Sequence, residues 1–285
     1  MRSHPRLQEA VRVVVGGLIE TYNHNGLPNR LLNDRGRVLG GLAALCLHFA
    51  PAPGGKGVAA GLTAGRFRAL CAELRLCSPG RAWALLALMR HAGYLAPAPG
   101  RAPDRRQRRL VPTERLVELH RQRWARHFEA LALVMPEEGR RALEIHARPE
   151  FTAAFVRHLG PMYLAGFRPL CHAPDLERFV ESNAGLLVMA GLFLAATDGR
   201  PTTPEGTVVP VSISALSARF GVARAHARRL LADAAEAGLV RRASGSETVL
   251  VLPRLVRAVG DLFAAVFALQ ARCAQAAAEE IGDAR

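Results

Sequence analysis

Between runs of Gly, Pro and Asn the chain is written mostly in Ala and Leu, at spacings that predict helices. Pro5–Tyr22 predicts a helix that "NHNGLPN" breaks, and Arg37–Ala50 predicts a buried helix ended by the loop "PAPGGKG". Thr63–Leu74 reads as a short helix with a threonine cap. A turn follows, and Ser78-Pro79 opens the next helix as N-cap and first-turn proline. That helix runs to about His91 and closes at Gly93. "YLAPAPGRAPDRRQRRLVP" then predicts a hairpin with an Arg/Pro/Gly tip, and Pro112 the start of a long helix.

The second half repeats this order. Leu176–Ala196 predicts a buried helix, "TDGRPTTPEGT" a loop, and "VSISALSARF" a capped short helix. A turn at Gly221 leads to a helix over Ala223–Ala237, closed by Gly238. "LVRRASGSETVLVL" predicts a short hairpin, and Pro253 opens a second long helix. The landmarks Leu70 and Leu216, Gly93 and Gly238, Pro112 and Pro253 lie 146, 145 and 141 residues apart. The slippage is one residue in the turn and four in the hairpin, so the repeat is read as real. The organisation expected is a terminal helix (1–35), a first module with its long helix (36–135) and a helical connector (136–175). A second module (176–252) and a C-terminal helix (253–285) complete it. The connector predicts one or two helices with a Gly160-Pro161 break. Its Phe151, Phe155, Met162, Tyr163 and Phe167 are expected to pack as core, with an effector pocket as the alternative.

Helix, short helix, turn, helix and two-stranded wing is the plan of a winged helix-turn-helix, so the fold class expected is mainly α with small β wings. In that plan the second helix of each module enters a major groove, which explains why "FGVARAHARRLLADAAEAGLVRR" opens on small residues, Arg and His. Arg224, His226, Arg228 and Arg229 are the candidate DNA-side residues of the second module. The corresponding face of the first carries Ser78, Gly80 and Arg81, with Arg90 nearby. Trp83 is expected in the core, with DNA contact as the alternative.

Charge changes this picture in one respect. The net formal charge is +14, with a single lysine, a usage that a GC-rich genome alone could produce. Its distribution is uneven: +8 over 1–100, +6 over 101–126, −3 over 127–215 and +3 over 216–285. The cationic stretches contain the repeated helices, which points to an anionic partner, double-stranded DNA.

At the first hairpin the residues resemble a known family. "RAPDRRQRRLVPTERL" is similar to the wing and following helix of MarR-family transcription regulators, with Asp104-Arg105-Arg106 in the place of the wing's Asp-x-Arg. Leu110 and Thr113 match the start of the next helix, with Val111-Pro112 between them. The resemblance spans about 38–133. It implies that Arg106 reaches the minor groove or its phosphates, that Asp104 orients a neighbouring arginine, and that Arg101, Arg105, Arg108 and Arg109 add phosphate affinity. The second wing is short and lacks Asp-x-Arg; Arg241 and Arg242 are its charges.

Other chemistry is thin. "APGGKG" lacks the Ser or Thr of a phosphate loop, His120 and His127 lack further metal ligands, and Cys171-His172 lacks an activating neighbour. Cys71 and Cys77 read as core thiols. Five cysteines without a CxxC pair fit a reducing, cytoplasmic setting, and no apolar run reaches a membrane span or a signal peptide. No metal, cofactor or catalytic constellation is expected. The expected function is a DNA-binding transcription regulator, with a replication or partition factor, or a protein-interaction scaffold, as alternatives. Because MarR-type regulators are dimers, one chain with two modules is expected to act as a pseudo-dimer joined through Pro112–Val134 and Pro253–Glu279, or as a homodimer. A pseudo-dimer would set its recognition helices about 34 Å apart on a site of two unlike halves. A small-molecule effector is possible on this plan, of unknown identity.

Overall fold

The computed structural model describes residues 1–24, 35–50, 61–74, 76–99, 109–164, 169–242 and 247–283. The protein is mainly helical, with two small antiparallel sheets. Among the described residues no helix is long and apolar enough to cross a membrane. The chain forms two units. An upstream unit gathers 35–128, 140–167 and 269–285, and a downstream unit gathers 1–34, 129–139 and 168–268.

In the upstream unit α2 (Arg35–Phe49) is followed by β1 (Leu62–Thr63), α3 (Ala64–Glu73), α4 (Pro79–His91), β2 (Leu95–Pro97) and β3 (Arg109–Pro112). The sheet order is β1-β3-β2, with Leu62 opposite Leu110 and Ala96 opposite Val111. Thr63 caps α3 through the Arg66 amide, and Ser78 caps α4 through the Arg81 amide, as their sequence positions predict. The long helix α5 (Glu114–Val134) begins one residue beyond Thr113, whereas Pro112 ends β3 and pairs with Leu95. The sequence reading put Pro112 in the helix. A proline at a strand end gives up no ladder donor there, so the strand keeps it.

α6 (Pro136–His146) and α7 (Phe151–Leu164) follow. The break expected at Gly160-Pro161 is absent, and α7 runs through Pro161. Packing outweighs the lost amide: Phe151, Phe155 and Leu159 are buried, and Gly160 rests against Cys46 of α2. Phe151 and Phe155 belong to a closed aromatic core. The Trp124–Phe155 ring centroids are 5.0 Å apart, Phe128–Phe155 5.7 Å and Phe128–Phe151 5.8 Å. This is the packing expected of those two residues. Met162 and Tyr163 are half-buried, and Phe167 lies outside the described residues.

The downstream unit opens with α1 (Leu7–His24), whose Ala10, Val11, Val14, Val15 and Ile19 are buried at helical spacing. The helix expected over Leu176–Ala196 is divided. Short 3-10 turns (Pro169–His172, Pro174–Leu176) and α8 (Glu177–Val180) precede a turn, and α9 spans Gly185–Ala196. In the turn Ala184 has φ +57°, and the Ser182 hydroxyl donates to the Arg178 carbonyl, 2.7 Å away. That local bond offers the backbone an alternative to the helix ladder. Gly185 then approaches the Phe179 carbonyl so closely that a Cβ would lie 2.3 Å from it.

The expected loop after α9 contains a small hairpin, β4 (Thr202–Thr203) with β5 (Gly206–Pro210). Next come α10 (Ile213–Phe220), capped by Ser212, then α11 (Arg224–Glu236), β6 (Val240–Arg241) and β7 (Thr248–Val251). Strand order is β4-β5-β7-β6, so β5, β7 and β6 repeat the arrangement of β1, β3 and β2. Gly93 and Gly238, after α4 and α11, have φ of +73° and +66°, left-handed conformations that glycine adopts without steric cost. α12 (Pro253–Asp283) starts at Pro253 as expected. Both long helices start in one unit and end in the other: residues 129–134 of α5 belong downstream and 269–283 of α12 upstream.

Candidate nucleic-acid interface

In the upstream unit α4 buries Ala82, Leu85, Leu86 and Met89 against the fold, opposite an exposed face of Gly80, Arg81, Ala84 and Ala87. Ser78 and Arg90 are exposed too. Neither Arg81 nor Arg90 meets a carboxylate among the described residues. Trp83 lies at the border of this face and is 58 % exposed, against the expectation that it fills the core. The reason is angular. With about 100° per residue, Trp83 points well away from the stripe that Ala82, Leu86 and Met89 define, and size alone does not turn it inward.

On β3, Arg109 is exposed, with its guanidinium beside Gly61. Burial first, and then Arg109, hold the His48 imidazole below its usual range. The Arg66 guanidinium donates to the Gly61 carbonyl at 2.7 Å. At the base of the hairpin Thr113 Oγ1 donates to the Gly93 carbonyl (2.7 Å) and Arg115 to the Ala92 carbonyl (2.8 Å), tying the end of α4 to the start of α5. Arg101, Asp104, Arg105, Arg106 and Arg108 lie outside the described residues.

In the downstream unit α11 repeats the design. Ala227, Leu230, Leu231 and Ala234 are buried, while Arg224, Ala225, Arg228, Arg229 and Ala232 are exposed. Arg224 and Arg228 meet no carboxylate among the described residues. His226 is half-buried and turned from the open face. Its Nε2 donates to the Asn183 carbonyl at 2.8 Å, and its Nδ1 accepts from Arg229 at 2.7 Å. The far end of α11 is fastened by Arg178 of α8, 2.9 Å from Glu236 and 3.5 Å from Asp233. Arg241 on β6 is exposed and Arg242 half-buried. Beside Gly238, Arg254 pairs with Asp175 through bonds of 2.6 and 2.8 Å. Arg115 stands in the same way beside Gly93.

Sequence reasoning missed the ties from Asn183 and Arg178, because both depend on the unexpected turn before α9. The side chains of Cys71 and Cys273 are buried, and burial pushes their thiols and that of Cys46 up to about 12. Among the described residues no three His, Cys, Asp or Glu side chains are grouped to hold a metal. No family model, curated protein or solved structure matches this chain.

Proposed function

We propose that the chain is a DNA-binding transcription regulator with two winged helix-turn-helix modules, α4 and α11 being its recognition helices. The recurrent order of helix, strand, two helices and two strands, with one strand arrangement in both units, supports the modules. The hairpin's resemblance to MarR-family wings supports the class. The observation that carries the reading is the exposed face of α11, where Arg224 and Arg228 stand among alanines with no carboxylate from the described residues to neutralise them. Small neighbours let a helix enter a groove, and an uncommitted guanidinium there bonds a guanine edge or a phosphate.

Arg228→Ala tests this on a duplex selected by the protein from random DNA. The expected loss is about 1–3 kcal/mol, with relaxed preference at one or two base pairs. Equal loss on all sequences would make Arg228 a phosphate contact, and no loss would remove α11 from the interface. A protein-interaction scaffold is the second reading, favoured by the exposed Trp83, since aromatic anchors also mark protein interfaces. A scaffold binds no DNA. A replication or partition factor would bind, and a map of its sites in the genome separates it from a regulator.

A further inference from the structure

On α5 of the upstream unit His120, Arg123 and His127 follow one another at spacings of three and four, which puts them on one helix face. His120 is only 4 % exposed, and its Nδ1 has no hydrogen-bond partner among the described residues, whereas buried polar atoms are normally satisfied. Gly41 of α2 closes on the ring's other nitrogen, where a Cβ would stand 2.8 Å from Nε2. Four residues beyond Arg123, His127 Nδ1 lies 3.0 Å from Gln270 Oε1 of α12.

Arg123, between them, is half-buried, and among the described residues it meets no carboxylate. Elsewhere, half-buried Arg157 pairs with Glu280 and half-buried Arg12 with Asp198. Arg123 has imidazoles beside it instead. Burial first, and the Arg123 charge second, hold both rings below their usual range, so they stay neutral at pH 7. Burial also lowers the guanidinium, with Tyr163 of α7 opposing the shift. A covered cation without a counter-charge is costly, and one anion relieves it.

We propose that Arg123, with His120, forms a binding site for a small monocarboxylate. The ligand's single negative charge matches the one guanidinium charge of Arg123, whereas a phosphate dianion would exceed it. A carboxylate's two oxygens fit the guanidinium fork, and the orphan Nδ1 of neutral His120 supplies one more donor. The assignment uses none of the residues given to DNA contact and stands or falls without that reading.

Calorimetric titration of the full chain with sodium acetate, at ionic strength held constant with sodium chloride, tests it. Saturable one-to-one binding with a Kd of roughly 1 mM or below is expected. Arg123→Met and His120→Phe should each weaken it at least about tenfold, and Arg90→Met should leave it unchanged. If Arg123→Met fails to fold, Arg123→Lys keeps the charge, loses the fork, and should still bind several-fold more weakly. Equal affinity in the Arg123 and Arg90 variants would overturn the proposal. So would the absence of saturable heat up to about 50 mM acetate.

Discussion

His127 sits among Arg123, Gln270 and the surrounding apolar side chains, where a second positive charge has little solvent to stabilise it. Burial is the largest cause, Arg123 adds to it, and the Gln270 bond opposes it, leaving the imidazole at about 3 against an ordinary 6.5. His120 shifts in the same direction for the same first reason. The consequence for stability has a definite sign. Above pH 6.5 neither the folded nor the unfolded chain holds these protons. Below it the unfolded chain takes them up while the folded chain refuses, so stability falls as the pH falls. For His127 the loss is about 1.4 kcal/mol per pH unit, or about 2 kcal/mol between pH 6.5 and 5, and His120 adds a loss of the same sign. Denaturant melts over that range should show the loss, and His127→Gln should remove about 2 kcal/mol of it. Stability independent of pH down to 5 would contradict the neutral state assigned to both rings.

At the scale of elements, the two tryptophans separate position from size. Trp124 of α5 is 1 % exposed and Trp83 of α4 58 %. Trp83→Ala should change folding stability by less than about 0.5 kcal/mol while altering DNA binding, and Trp124→Ala should cost about 3–5 kcal/mol. A large destabilisation by Trp83→Ala would place that ring inside the fold after all. The same elements mark what could be read from sequence. Caps at Thr63, Ser78 and Ser212 and glycine exits at Gly93 and Gly238 were legible, because each is a local bond or dihedral that the residue type itself favours. The turn before α9 and the continuity of α7 through Pro161 were not. Ala184 at positive φ and a proline inside a helix both run against local preference, and tertiary packing decides them. The candidate interface divided likewise. The exposed arginines of α4 and α11 followed from helical period, whereas the bond from His226 to Asn183 depended on a turn that no pattern announced.

For the whole molecule, each unit presents exposed arginines on its candidate recognition helix, Arg81 and Arg90 upstream and Arg224, Arg228 and Arg229 downstream. The unlike residues on the two helices give a reason to expect a binding site of two unlike halves, read by one chain. If each module neutralises several phosphates, affinity must depend on salt through the counterions released. A scaffold that uses Trp83 and apolar contacts on a protein would show no such dependence. The most direct measurement is therefore fluorescence anisotropy of a labelled duplex, taken from the protein's own selected sequences and titrated at a series of sodium chloride concentrations. The account predicts saturable binding whose log affinity falls against log salt with a slope of roughly −4 to −6, or about half that if one module docks, at about −0.9 per phosphate. Absence of saturable binding at low salt, or a slope shallower than about −1, would contradict DNA binding by either helix.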